Sequence, residues 1–234
     1  MKAILKKLLI GKISINEQKS INPLEKRIQN IKSIWNNDHH DDNGIEKIVR
    51  LILSFSQLLF PGIYIKYFAH KKGIEYQDLA LDFYVLVKVA FPVVILINQW
   101  HNNKILVGIM IYVLLETIFY IPTLIFASDL FSKPRSYKRS MLLLFLNYLE
   151  VVFAFGVLYS IGNSMNKPFS HWFDSIYFSL ITSSSIGYGD YYPVSLLGKV
   201  LVSFQSMFFL SFVVLFLNFF STKVKAKGYF DQED

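Results

Sequence analysis

Three apolar stretches, residues 105–127, 141–161 and 196–220, limit what this chain can fold into more than any other feature. Crossing a hydrocarbon layer about 30 Å thick takes roughly 20 apolar residues in a helix, because lipid offers no partner to an unpaired backbone group. Each stretch is long enough, and each ends at polar or charged residues. A fourth, 83–98, is shorter and carries Lys88 and Pro92; it too is expected to span. The composition agrees, being 53% hydrophobic with 22 Phe and 14 Tyr in 234 residues. The expected fold class is therefore an all-α membrane protein.

Charge sets the orientation. Lys133, Arg135, Lys138 and Arg139, the Lys71-Lys72 pair, and Lys223, Lys225 and Lys227 mark segments expected on the cytoplasmic side. A further apolar stretch, 48–68, contains Arg50, Ser54, Ser56, Gln57 and the helix-breaking pair Pro61-Gly62. If it spanned, the Lys-rich first 45 residues would face outside, so an interfacial or re-entrant helix is expected there. The pore region is then preceded by two or three additional membrane helices. Both termini are expected to be cytoplasmic.

The net charge of +7 does not argue for nucleic acid, since the Lys and Arg residues sit in short clusters between apolar runs. The absence of cysteine excludes disulfides and thiolate zinc sites. Lys6 and Lys7 interrupt the first apolar run, which also lacks a small-residue cleavage site and does not read as a signal peptide. Leu24, Ile28, Ile31, Ile34 and Trp35 recur at helical spacing and predict an amphipathic helix on the inner leaflet. The run containing His39, His40, Asp41 and Asp42 reads as a solvated loop, because nothing spaces those side chains as metal ligands. The expected organisation is a cytoplasmic N-terminal region (1–46), upstream membrane helices (47–128), a pore domain (139–222) and a short cytoplasmic tail (223–234).

About thirty residues separate the last two strong spans, too few for a soluble domain yet rich in Trp172, Phe173, Tyr177 and Phe178. They predict a re-entrant helix over 171–184, capped by Ser170, followed by a turn rich in glycine. The stretch Ile181-Thr182-Ser183-Ser184-Ser185-Ile186-Gly187-Tyr188-Gly189-Asp190 resembles the signature of the potassium-channel pore superfamily. In that superfamily, rings of backbone carbonyls replace the water shell of the potassium ion. The resemblance covers about 140–220. Within it, Asn147-Tyr148-Leu149-Glu150 is similar to small prokaryotic ion-channel proteins, which implies a prokaryotic cell membrane.

The resemblance implies a filter of Ser185, Ile186, Gly187, Tyr188 and Gly189 binding K⁺ as the transported ion, with no cofactor. Gly187 and Gly189 lack the Cβ that would oppose the backbone conformations needed to aim successive carbonyls inward. Ile186 and Tyr188 then pack behind the filter. Asp190 sits just outside it, with Tyr177 or Trp172 as candidate hydrogen-bond donors. Serine at Ser185 departs from the family's usual threonine. The inner helix has no glycine after Gly198, which puts a sharp gating bend in doubt; Leu210, Val214, Leu217 and Ser221 are spaced to line the inner pore, or equally to pack a core. One filter per chain closes a pore only in a ring, so a homotetramer is expected.

No helix carries Lys or Arg at successive third positions, as a voltage sensor requires, and no calcium loop or Gly-rich βαβ unit is present. Lys88, Glu116 and Glu150 fall on three successive helices at similar depth and form a candidate intramembrane polar cluster, either a pH-responsive tie or packing glue. The expected function is passive, selective potassium conduction, with no enzymatic activity. A weakly selective cation channel and a non-conducting scaffold are the alternatives. Membrane lipid is the expected surrounding, and the N-terminal region is left for an unidentified protein partner.

Overall fold

The computed structural model describes residues 22–38, 43–127 and 137–223. Residues 1–21, the His39 to Asp42 run, Lys133, Arg135 and the tail beyond Lys223 lie outside the described residues. So do the side chain of Ser221 and its neighbours at the end of the last helix.

The described residues form eight α-helices. They are α1 (Pro23–Asn36), α2 (Gly44–Ser56), α3 (Pro61–Lys72), α4 (Ile74–Ile97), α5 (Lys104–Phe126), α6 (Tyr137–Ser160), α7 (Trp172–Ser183) and α8 (Leu196–Lys223), with a 3₁₀ turn at Trp100–Asn102 between α4 and α5. Four of them are long and apolar enough to cross a membrane: Tyr76–Ile97, Lys104–Phe126, Lys138–Ser160 and Leu196–Asn218. The protein is thus an all-α integral membrane protein.

Local signals set the helix starts. Asn22 accepts a hydrogen bond from Leu24 N–H ahead of Pro23, and Asn103 accepts from Ile105 and Leu106. A side-chain cap of this kind satisfies backbone donors that have no partner within the helix. The fourth span begins well before residue 83. Its polar N-terminal turns, with Asp78 and Asp82, are held by Arg139 of α6, whose guanidinium lies 3.2 Å from Asp78 and 2.6 Å from Asp82. Apolarity alone understates the helix because that end is stabilised by ion pairing.

The 48–68 stretch is two helices, α2 and α3, bent by 56° at the break. Pro61 has no N–H to continue α2 and instead supplies the first turn of α3. α2 is inside-out relative to a soluble helix. It buries Arg50, Ser54 and Ser56 beside Leu53, while Ile45, Ile48, Ile52 and Phe55 face outward. The Arg50 guanidinium reaches the carbonyl of Phe126 at the C-terminus of α5, the end of a helix that favours a cation. The amphipathic α1 packs on α2 and α3. Of its predicted stripe, Ile34 is buried, whereas Ile28 and Trp35 remain exposed.

α6 occupies the centre, packed by α4, α5, α7 and α8. Val152, Ala154, Phe155, Val157 and Tyr159 on it are fully buried. Gly156 permits the close crossing with α7, since a Cβ there would stand 3.3 Å from the backbone of Ile176. Gly198 plays the same part at the start of α8, where a Cβ would stand 2.8 Å from the carbonyl oxygen of Ser164. Replacing Gly156 with Val should push α6 and α7 apart and cost about 1–3 kcal/mol, the usual penalty for overpacking. Thermal unfolding in detergent, monitored for Gly156→Val beside Gly108→Val, checks this. Gly108 has open space around it and should tolerate the change.

Candidate functional site

The loop after α7 carries the segment singled out by its glycines. Along Ser185–Gly189 the sign of φ alternates: Ser185 at 57°, Gly187 at 59° and Gly189 at 82° are positive, and Ile186 and Tyr188 are not. In an ordinary strand successive carbonyls point to opposite sides; alternating the handedness of successive residues turns their peptide planes the same way. Glycine makes this accessible at 187 and 189 without steric cost.

Ser185 has a separate reason. Its N–H donates to Thr182 O (3.1 Å) and that of Ile186 to Ile181 O (3.0 Å). This is the pair of bonds by which a helix ends in a left-handed residue, so the first residue of the segment also terminates α7. A left-handed conformation costs a non-glycine residue roughly 1–2 kcal/mol, and a β-branched side chain suffers more than serine. That is a physical reason for serine rather than threonine at this position.

Residues 184–190 are all exposed on the single chain, including Tyr188 at 69%. On α8 the apolar residues Leu197, Val200, Phe204, Met207, Leu210, Val214 and Leu217 are exposed at three- and four-residue intervals, one helical face. Leu210, Val214 and Leu217 therefore lie on an uncovered face rather than in this chain's core.

α7 is held at both ends. Its N-cap is His171 rather than Ser170, because the helix starts at Trp172 and His171 Nδ1 accepts from Phe173 N–H. Asp174 returns the bond, accepting from the N–H groups of Ser170 and His171, and also from the Tyr191 hydroxyl. Desolvation pushes its carboxyl up, but these donors outweigh that and hold it below the usual carboxylate range. The capping box thus ties the helix start to the strand-like return beyond the glycines. Asn166 fixes the same return by accepting from Tyr192 N–H.

Tyr177 stacks on Tyr188, ring centroids 6.5 Å apart and nearly parallel. Desolvation and the Asp190 carboxylate, to which its hydroxyl bonds, raise its pKa. Trp172 packs edge-on against Phe173 and beside His171.

Sequence reasoning missed the polar clasp inside this core. Gln205 of α8, 1% exposed, donates to Ser179 O (3.1 Å) and Oγ (2.8 Å) and accepts from the Tyr159 hydroxyl (2.6 Å). Ser179 in turn donates to Val152 O on α6. Three helices meet at one fully satisfied network. The available signal was a lone Gln within an apolar span.

Further back, the Lys88, Glu116 and Glu150 side chains come together. Lys88 Nζ lies 3.1 Å from Glu150 and 3.9 Å from Glu116. Thr117, which no local pattern singles out, bridges them, accepting from Lys88 (2.6 Å) and donating to Glu150 (2.7 Å). Glu116 also accepts from the Tyr84 hydroxyl and from Gly62 N–H, clasping the first turn of α3.

Comparison with known proteins gives three results. Residues 142–226 match a family model described as an ion channel. Over 161 residues the chain is 26% identical to the hyperpolarization-activated voltage-gated potassium channel of Methanocaldococcus jannaschii, covering 68% of this chain and 72% of that one. It is 34% identical over 71 residues to potassium voltage-gated channel subfamily KQT member 4 of Homo sapiens and of Rattus norvegicus, covering 30% of this chain and 10% of theirs. No solved structure matches.

Two outcomes test this geometry. Gln205→Leu leaves Ser179 and the Tyr159 hydroxyl without their partner in a dry interior and should cost about 1–3 kcal/mol; thermal unfolding beside Gln99→Leu on the exposed turn measures it. For Asp174, a depressed carboxyl contributes stability above the ordinary carboxylate range that is lost as pH falls through the depressed value. Asp174→Asn should therefore flatten the acid limb of stability while lowering it at neutral pH, as a pH series of the same melts would record.

Proposed function

We propose that this chain, whose residues 142–226 match an ion-channel family model and which is 26% identical to an archaeal potassium channel, is one subunit of a homotetrameric, potassium-selective channel of the potassium-channel pore superfamily that conducts passively across a cell membrane. The matched family and relatives support an integral membrane ion-channel protein of the potassium-channel type. The relatives are potassium channels by name.

The observation that carries the reading is the alternation of φ over Ser185–Gly189 in a segment left wholly exposed. One chain supplies one line of carbonyls, and a bare potassium ion replaces its water shell only where several converge. Four copies around an axis bring four such lines together. The uncovered apolar face of α8 then meets its neighbours and lines the inner passage, with Leu210, Val214 and Leu217 along it and Ser221 at the mouth. Tyr188 and Ile186 pack behind the carbonyls, and Tyr177 steadies both Tyr188 and Asp190. The C-terminal end of α7 adds its partial negative charge toward the cavity. Both termini and the Lys71-Lys72 end of the bundle face the cytoplasm.

Among the described residues no spanning helix has the row of cations of a voltage sensor. The name of the archaeal relative nonetheless favours a second reading of gating, in which voltage acts on this chain too, and voltage steps on the reconstituted channel distinguish the two.

The first test is flux. Purified protein in potassium-loaded liposomes diluted into a buffer of an impermeant cation, read with a proton ionophore and dye, should admit protons as potassium leaves down its gradient, and sodium-loaded liposomes diluted into the same buffer should give no such signal. Gly187→Asp should abolish it. Equal potassium and sodium flux would replace the selective reading with a weakly selective cation channel. No flux from verified tetramers at any voltage would leave a scaffold with a pore-like fold.

A further inference from the structure

α6 and α7 meet along one stripe of each helix. Tyr148, Val152 and Gly156 recur every fourth residue on α6, and Ser183, Ser179 and Ser175 do so on α7, so each trio shares one helical face. The two trios pair in reverse order. A Cβ on Gly156 would press on the backbone of Ser175 and Ile176, Ser179 Oγ donates to Val152 O (2.6 Å), and the Tyr148 hydroxyl lies 2.9 Å from Ser183 Oγ.

The last of these contacts has a direction. A serine hydroxyl carries one proton, and that of Ser183 goes to Leu180 O (2.9 Å). Tyr148 is therefore the donor. Its acceptor is buried and is the last residue of α7. The carbonyls of that same turn carry the segment that follows: Leu180 O accepts from Ser184 N–H, Ile181 O from Ile186 N–H and Thr182 O from Ser185 N–H. The tyrosine ring is fixed in turn by α8, edge-on against Phe212 with 5.6 Å between centroids and tilted on Phe209 at 5.7 Å. One hydroxyl thus ties the base of the glycine segment to α6, and its ring ties it to α8.

We propose that Tyr148 is a positioning residue for ion discrimination, acting through Ser183 on the innermost carbonyls of Ser185–Gly189. The proposal rests on the reading of that segment as the filter. Discrimination depends on the spacing or the field of converging carbonyls, and such a site keeps its geometry only where the groups behind it are locked by packing and hydrogen bonds. Gln205 and Val152 lock Ser179, one turn back. Tyr148 does the same at the turn from which the segment hangs. Phenylalanine at 148 keeps the ring against Phe209 and Phe212 and removes the donor alone, which separates positioning from packing.

The test compares the full chain with Tyr148→Phe, Ser183→Ala, both together, and Tyr112→Phe, whose hydroxyl donates to Leu59 O at the break between α2 and α3. Two quantities are read: amide hydrogen exchange over 180–190 in detergent, and the sodium-to-potassium permeability ratio from reversal potentials in planar bilayers. The first three variants should speed exchange at residues 184–186 by one common factor, about three- to tenfold, the worth of a hydrogen bond of ordinary net strength. They should also raise the permeability ratio at least about threefold, by the same reasoning. The double variant should match the singles, since all three remove one bond. Tyr112→Phe should change neither quantity. Wild-type exchange in Tyr148→Phe, a double variant whose effect is the product of the singles, or an equal effect of Tyr112→Phe would overturn the proposal. Faster exchange with an unchanged ratio in a conducting channel would overturn Tyr148 as a determinant of discrimination. A wild type that conducts without selectivity, or not at all, overturns the reading of the filter instead, and with it any role of Tyr148 in discrimination; the exchange measurement then still decides whether Tyr148 holds the turn.

Discussion

Hydrocarbon offers nothing to a backbone N–H or C=O, and every part of this structure answers to that constraint. Four long helices satisfy their own backbone groups internally. The segment Ser185–Gly189 is the exception. Its first two N–H groups close the end of α7, and the rest of it lies exposed. Irregular backbone at membrane depth is sustained only where it is buried in protein or lines a water-filled passage. The exposed face of the segment is the part that the proposed passage and neighbouring copies would enclose.

Polar side chains inside the bundle follow the same logic at smaller scale. Gln205, Ser179 and Tyr159 satisfy one another where α6, α7 and α8 meet, and Lys88, Thr117 and Glu150 do so where α4, α5 and α6 meet. The first network fixes the short helix that aims the glycine segment. The second fixes the upstream helices to the same central helix. Since α6 belongs to both, a shift at the upstream network has a short covalent and packed route to the base of the glycine segment. Buried ionic groups of this kind are strongly destabilising to break from one side, which makes them effective ties.

The spans at 105–127, 141–161 and 196–220 were legible because length and apolarity are sufficient for a membrane helix. The span beginning at Ile74 was read short, since its polar first turns are held by Arg139 from 57 residues away in sequence. The break at Pro61 was legible, whereas the bend of 56° and the outward turn of Ile48 and Ile52 were not, because they depend on what α2 packs against. The cap of α7 was displaced by one residue: Ser170 and His171 both offer an acceptor, and the choice went to the one that Asp174 answers across the first turn.

By itself the sequence determined that this chain enters a membrane and where its glycines interrupt a helix, because both follow from local composition and from the absence of a Cβ. It also limited the charged residues within the spans to a few that must find partners. Only the tertiary structure decided who those partners are. That Thr117 stands between Lys88 and Glu150, that Gln205 reaches Ser179, and that Ser185 turns left-handed to close a helix are matters of distance between segments far apart in the chain. Hydrogen bonds and ion pairs act over a few ångströms, and no local pattern encodes which remote side chain will arrive within that range.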